Sequence, residues 1–313
     1  MSKKNELFSK DADFSKLVKK AKRKSLIRNG LISVIVSVIL FIGLFWLGTF
    51  LMYKKMEQES NYDYAWQSII GANVEYGGSL FNYTPFSATV TTEINKYLAD
   101  TPVPWGNHEK VFTIFGPSRA IHSHSISGKG EIEDERIPLY FLGERVIEFY
   151  HPDGNYEFIP DDKSLLDEID ENKLVELAYS FDTAYTIAEV QEMFGDQLSW
   201  YWVDDATPLS QNGAEDQPII GNNVYGFLHG EEREQRVEFF IRQIESLREE
   251  KGDFQQEANR LYDAITDNGQ LEPEVQNLKI IGAVVTGTPE QLQQFNELPN
   301  IRAAVLGATT DRY

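Results

Sequence analysis

From Gly30 to Tyr53 the chain carries no charged residue. At 1.5 Å rise per residue, about 24 such residues form a helix of roughly 36 Å, enough to cross a hydrocarbon layer of about 30 Å with some tilt. The pattern before this run differs. Phe14, Leu17, Val18 and Ala21 recur at the i, i+3, i+4, i+7 spacing of one helix face, with Lys16, Lys19, Lys20, Lys22 and Arg23 on the others. That spacing predicts a short amphipathic helix, capped by Asp13 and leading through Leu26 and Ile27 into the span, with residues 1–12 loose. Beyond the span, Lys55–Gln67 is polar and helix-tolerant, a candidate stalk continuing the membrane helix.

Further on the periodicity shortens. Phe86–Thr92, Lys110–Phe115, Ile137–Leu142 and Arg145–Tyr150 are rich in β-branched and aromatic residues and read as strands of a small β-rich module over residues 72–150. His151–Asn155 is turn chemistry and marks a boundary. The distal part predicts a strand at Lys173–Phe181, a helix at Thr186–Phe194, an aromatic strand at Leu198–Val203, and helices at Glu232–Glu250 and Asp253–Thr266. A doubly buried strand at Leu278–Val285 follows, then a helix at Glu290–Leu298 entered through Gly287 and Pro289, and a strand at Ile301–Leu306. The expected fold class is α+β: a single transmembrane helix, an extracytoplasmic β-rich module and a ferredoxin-like α/β sandwich. The corresponding domains are residues 1–29, 30–53, 54–152 and 153–313.

Charge sets the expected orientation. Residues 1–29 hold ten Lys or Arg and three acids, a balance of +7, so of the net −20 the residues beyond the span carry −27. The positive-inside bias puts the N-terminal tail in the cytoplasm and everything beyond Tyr53 outside the cell membrane. A cleaved signal peptide is the weaker alternative, because the apolar run is about twice a usual h-region and Leu51–Lys54 offers no small-residue cleavage site. Phe45, Trp46, Phe50 and Tyr53 suit an aromatic interface belt or a lipid-packed stripe. The acidic outer part would repel nucleic acid and anionic headgroups, so no direct nucleic-acid contact is expected, whereas the basic tail can bind anionic lipid. There is no cysteine, which excludes disulfides, thiolate metal sites and cysteine nucleophiles.

Enzyme templates are absent from the sequence: no Gly-x-Ser-x-Gly elbow, Ser-x-x-Lys pair, phosphate-binding Gly-x-x-x-x-Gly-Lys loop or His-Glu-x-x-His. His122 and His124 have ligand spacing on a strand, but no third ligand accompanies them, and a solvated edge is the plainer reading. Asp263, Asp267, Asn268 and Gly269 partly match a calcium loop but lack its register. The pairs Asp161/Asp162 and Asp204/Asp205 could act as acid and base, with solvated surface as the default. Trp200, Tyr201 and Trp202 could form a ligand platform, though alternation sends at least one into the core. Neither a catalytic site nor a cofactor or metal is expected.

Ile281–Glu290 (Ile-Gly-Ala-Val-Val-Thr-Gly-Thr-Pro-Glu), followed by Leu298–Thr309, resembles the end of the sigma factor regulator C-terminal domain, found in membrane-anchored anti-sigma factors of Gram-positive bacteria. Trp200–Asp204, Gly226 and Phe227 also match, and Phe14–Lys24 running into the span looks like the start of the family's N-terminal half. The resemblance is strongest over residues 165–313 and the first 55 or so. It implies an anti-sigma factor that holds an extracytoplasmic-function sigma factor at the inner membrane face until an envelope signal releases it. The zinc-binding His and Cys pattern of another anti-sigma class is missing. On this reading Phe14, Leu17, Val18 and Ala21 insert into a groove between sigma-factor helices, and basic neighbours such as Lys20 and Arg23 pair with its acidic rim. The alternative for the helix is an interfacial segment lying on anionic lipid. The alternative for the whole chain is a cell-surface binding or scaffold protein that engages a wall component or another membrane protein, its tail serving only as an anchor.

Overall fold

The computed structural model describes residues 2–121, 125–128, 136–210, 214–230 and 233–312, with side chains from residue 14 onward except at residue 233. The long apolar run lies inside a single helix, α1 (Ser2–Gln67), of 66 residues. At 1.5 Å per residue it is about 100 Å long. It starts well before the expected cap, so Asp13 is interior to the helix and residues 2–12 are helical. No proline interrupts residues 2–67, and the weakest helix formers there, Gly30, Gly43 and Gly48, each cost about 1 kcal/mol relative to alanine.

The strands that follow are β1 (Glu75–Tyr83), β2 (Ser87–Leu98), β3 (Thr101–Thr113), β4 (Arg119–Ile121), β5 (Ser127–Gly128), β6 (Leu139–Phe141), β7 (Glu144–Arg145) and β8 (Glu148–Phe149). β1 to β4 form one sheet in chain order, and β5, β6 and β7 another. The distal elements are β9 (Lys173–Tyr185), α2 (Ile187–Phe194), β10 (Leu198–Val203), β11 (Ile219–Ile220), β12 (Gly226–Leu228), α3 (Arg233–Glu249), α4 (Gln255–Ile265), β13 (Ile280–Gly287), α5 (Pro289–Gln293) and β14 (Ile301–Asp311). β11 pairs with β8.

The main sheet has the order β12-β10-β13-β9-β14, with every neighbouring pair antiparallel. β9 and β10, joined through α2, are parallel with β13 between them; β13 and β14, joined through α5, are parallel with β9 between them. Both crossovers are therefore split β-α-β units, and β14 adds a fifth strand. Local chemistry sets the crossover helices. Thr186 caps α2 in a reciprocal box with Glu189, and Thr288 caps α5 with Gln291, Pro289 taking the first turn. α5 stops at Gln293, shorter than the apolar pattern predicts.

Alternation along the strands separates two cores. Val175, Leu177, Tyr179 and Phe181 of β9 and Tyr201 and Val203 of β10 pack with Val190 and Phe194 of α2, Val237, Phe240 and Ile244 of α3, Leu261 of α4 and Leu292 of α5. On the opposite face Ala178, Trp200, Trp202, Ile281 and Val284 meet Ile147 and Phe149. Gly282 permits this density, since a Cβ there would lie 2.6 Å from the Tyr179 carbonyl oxygen and 2.7 Å from the Trp202 ring.

Two compact units divide the chain. One comprises Met1–Met56, Tyr83–Ala88 and Phe112–Pro117; the other comprises Glu57–Asn82, Thr89–Val111 and Ser118–Tyr313.

Candidate functional site

The candidate partner-binding residues all lie on α1, where helical geometry puts Phe14, Leu17, Val18 and Ala21 on one face. They are uncovered: Phe14 is 68% exposed and Leu17 64%. Lys20 and Arg23 are likewise exposed on the same helix. In water such a stripe costs apolar hydration, roughly 25 cal/mol per Å² left uncovered. The geometry can therefore seat three or four anchors in a groove or on a lipid surface.

The far end of the same helix is core, not a bare stalk. Tyr62, Ala65, Trp66 and Ile69 follow the i, i+3, i+4, i+7 spacing, and Ala65 and Ile69 are buried in the larger core with Tyr62 and Trp66 packed against it. Trp66 stacks on Phe254, and the Tyr62 hydroxyl accepts from the Phe254 N–H at 2.9 Å. Where the helix ends, the chain goes directly into pairing: Gly226 N–H donates to Ile69 O, Gly71 N–H to Val224 O and Ala72 N–H to Gly221 O, at 2.8–3.0 Å. The spacing that marks the inner stripe was available here too, hidden by the polar residues around it.

A buried ion pair was not legible from sequence. Lys96 Nζ, 1% exposed, lies 2.8 Å from both carboxylate oxygens of Glu176, which is fully buried. Asn73 and the Ala308 N–H donate to the same carboxylate at 3.0 and 3.2 Å, and the Lys96 ammonium sits 4.2 Å from the Trp105 ring centroid. Burial pushes the Lys96 amine down, and Glu176 opposes that shift.

Other candidates resolve into structural roles. In each acid pair one member is buried rather than solvated. Asp162 accepts from Arg136, from Arg145 at 3.0 Å and from the Leu306 N–H at 2.9 Å. Asp205 pairs with Arg260 at 3.2 Å. Asp162 and Asp205 are thus held in structural ion pairs, and neither is a free carboxyl of the kind acid–base chemistry needs. Trp200, Tyr201 and Trp202 are all buried, so they offer no ligand platform. Asp267, Asn268 and Gly269 have positive φ and form the left-handed turn that ends α4, with Asn268 N–H donating to Asp263 O. His122 and His124 lie outside the described residues. Among the described residues no group of three or more His, Asp or Glu could hold a metal ion.

Two family models match the chain. Sigma factor regulator N-terminal matches residues 15–100, and sigma factor regulator C-terminal matches residues 166–308. The chain belongs to the sigma factor regulator family. The role of the family is regulatory, that of an anti-sigma factor acting on transcription, and a sigma factor is the partner its domains imply. No curated protein and no solved structure was found to match the chain. The N-terminal match takes in Leu17, Val18 and Ala21 of the exposed stripe, the apolar run of the one helix among the described residues that is long and apolar enough to cross a membrane, and Lys96. The C-terminal match takes in Glu176, so the buried ion pair ties the two family segments of this regulator together.

Proposed function

We propose that this regulator is a single-pass membrane protein that sequesters an extracytoplasmic-function sigma factor with its cytoplasmic helical segment. Residues 1–29 lie inside the cell, residues 30–53 cross the membrane, and residues 54–152 and 153–313 lie outside, where they sense or relay the state of the envelope. The observation that carries this reading is the uncovered stripe of Phe14, Leu17, Val18 and Ala21 on α1, of which Leu17, Val18 and Ala21 fall inside the segment matched by the N-terminal family model and Phe14 directly precedes it. Helix-in-groove recognition needs only such a handful of anchors. Lys20, Arg23 and their basic neighbours would speed encounter with an acidic rim more than they deepen affinity. The ten Lys and Arg before the span supply the orientation.

Leu17→Asp tests the contact. It puts a charge into the stripe without touching the apolar span, so free sigma-factor activity should appear while membrane insertion stays normal. Silent target promoters in that variant would remove the helix as the contact. A pull-down with residues 1–29 separates this reading from a surface scaffold: recovery of a sigma factor supports sequestration, and recovery of lipid alone supports a mere anchor. An accessibility label at each terminus checks the orientation, and a cytoplasmic Tyr313 would overturn it.

A further inference from the structure

The first compact unit contains more than helix. Two turns, Tyr83–Ala88 and Phe112–Pro117, belong to it together with the membrane-crossing part of α1. Pro85 packs on Gly48, where a Cβ would lie 2.9 Å from the Pro85 carbonyl oxygen. Gly48 precedes Tyr53 by five residues, which is about 7.5 Å along the helix axis and within the apolar run. Lys55, just past that run, donates from Nζ to the carbonyls of Thr113 and Gly116 at 2.7 and 2.6 Å. The turns are thus held beside the helix at the depth where its apolar run ends.

Their chemistry suits that depth. Neither turn has a charged residue, in a chain where a quarter of all residues are charged. Phe86 is 60% exposed and Phe115 90%, with Tyr83 half exposed beside them. In water, aromatics so placed would be an apolar patch without a partner. Backbone entering a bilayer must satisfy its own polar groups, and several in these turns are paired within the unit. Thr84 N–H donates to Ser87 O at 2.7 Å, Thr84 Oγ1 accepts from the N–H groups of Phe86 and Ser87, and Ile114 N–H donates to Phe86 O at 3.1 Å.

We infer that the two turns dip into the bilayer beside the span, with Phe86 and Phe115 seated at the acyl–headgroup boundary of the leaflet at the Tyr53 end. The lipid surface is the occupant because the turns are continuous with the span and share its lack of charge. The inference rests on α1 being the membrane span. It adds that this unit meets the membrane at three places, the span and the two turns.

The absence of cysteine makes the test clean. Phe115→Cys, Phe86→Cys, Leu40→Cys in mid-span and Leu271→Cys on the exposed surface of the larger unit each accept one nitrobenzoxadiazole label. The full-length chain is then reconstituted in phosphatidylglycerol–phosphatidylethanolamine vesicles. The labels at 115 and 86 should show blue-shifted emission, several-fold less iodide quenching than the label at 271, and quenching by lipid carrying a shallow nitroxide. If they follow position 271 while position 40 stays protected, the span stands and the inference fails. If they escape both iodide and nitroxide lipid, a protein surface such as a second copy covers the turns, and the inference fails. Iodide quenching at position 40 would remove the span itself.

Discussion

Trp66, on the last turn of α1, lies flat against Phe254 at the entrance to α4, with ring centroids 4.3 Å apart and planes inclined by 3°. Phe254 also stacks on Tyr62 one turn earlier, at 5.4 Å. The terminal turns of α1 are therefore clamped by an aromatic sandwich.

Trp66→Ala should open the clamp. Deleting a buried aromatic costs about 3–5 kcal/mol, and the partly exposed Trp66 should fall near the lower end. Urea unfolding of the detergent-solubilised chain checks this, and Trp66→Phe should recover much of the loss by keeping the stack. A midpoint unchanged in Trp66→Ala would show that Phe254 holds α1 without it.

The pair of Lys96 and Glu176 makes a different prediction, because both groups are fully desolvated. Lys96→Met or Glu176→Leu alone strands the partner in the core and should cost about 3–5 kcal/mol. The double variant Lys96→Met/Glu176→Leu should be markedly less unstable than the two single losses combined, since removing both charges also removes the burial penalty. Denaturant midpoints of the four proteins close the cycle. Simple additivity would mean that the two side chains do not act as a unit.

Much of this architecture was legible in the residue pattern. β9, α2, β10, α3, α4, β13 and β14 fall where periodicity put them, because each presents a full apolar stripe to one core or two. β1 is silent in sequence for the opposite reason: Glu75–Tyr83 includes two glycines and has mostly exposed positions, so no burial pattern marks it as a strand. The first turns of α1 carry polar residues that signal no helix, yet helical backbone continues upstream of Asp13. The candidate stripe was visible because its spacing is local. Lys96 and Glu176 are 80 residues apart, and only the folded sheets bring them together.

Asp204 gives the fold an acid-sensitive contact. Burial pushes its carboxyl up, but the His151 ring nitrogen 3.8 Å away, the Ala206 N–H and the nearby Lys279 together outweigh burial and hold it below the ordinary value of 3.8. A carboxyl lowered on folding adds stability that is complete above the unfolded value and fades as pH falls through the native one. Asp204→Asn should therefore reduce stability at neutral pH and flatten the acid limb of the stability curve below about pH 4. Equal slopes for variant and parent across that limb would assign the acid sensitivity elsewhere.

Gly226 is the tightest backbone approach in the sheet. A Cβ there would collide with the Tyr201 carbonyl oxygen and the Trp200 ring, neither of which can move without opening β10 against β12. Gly226→Ala should cost about 1–3 kcal/mol or more from overpacking. Because the Gly226 N–H also holds Ile69 O, the strain falls on the strand that receives the end of α1. Hydrogen exchange should rise at Gly226 and Gly71 before it rises in β9. Uniform protection with an unchanged midpoint would show that the site has room for a methyl group.

The unbroken course of α1 predicts how a signal would have to travel under the proposed function. Gln58 is exposed, lying between the apolar run and the aromatic clamp. Gln58→Pro removes one helical hydrogen bond and clashes with the carbonyl of Lys54, a disruption of about 3 kcal/mol that kinks or breaks the helix there. The stripe at Phe14–Ala21 and the packing of Trp66 are both left intact, so the variant should still insert, still fold and still keep target promoters silent at rest. What it should lose is the rise in promoter output under envelope stress, because motion of the core no longer reaches the inner turns. A full response in Gln58→Pro would mean that release does not depend on a rigid helix, and would favour cleavage of the chain or a partner protein as the trigger.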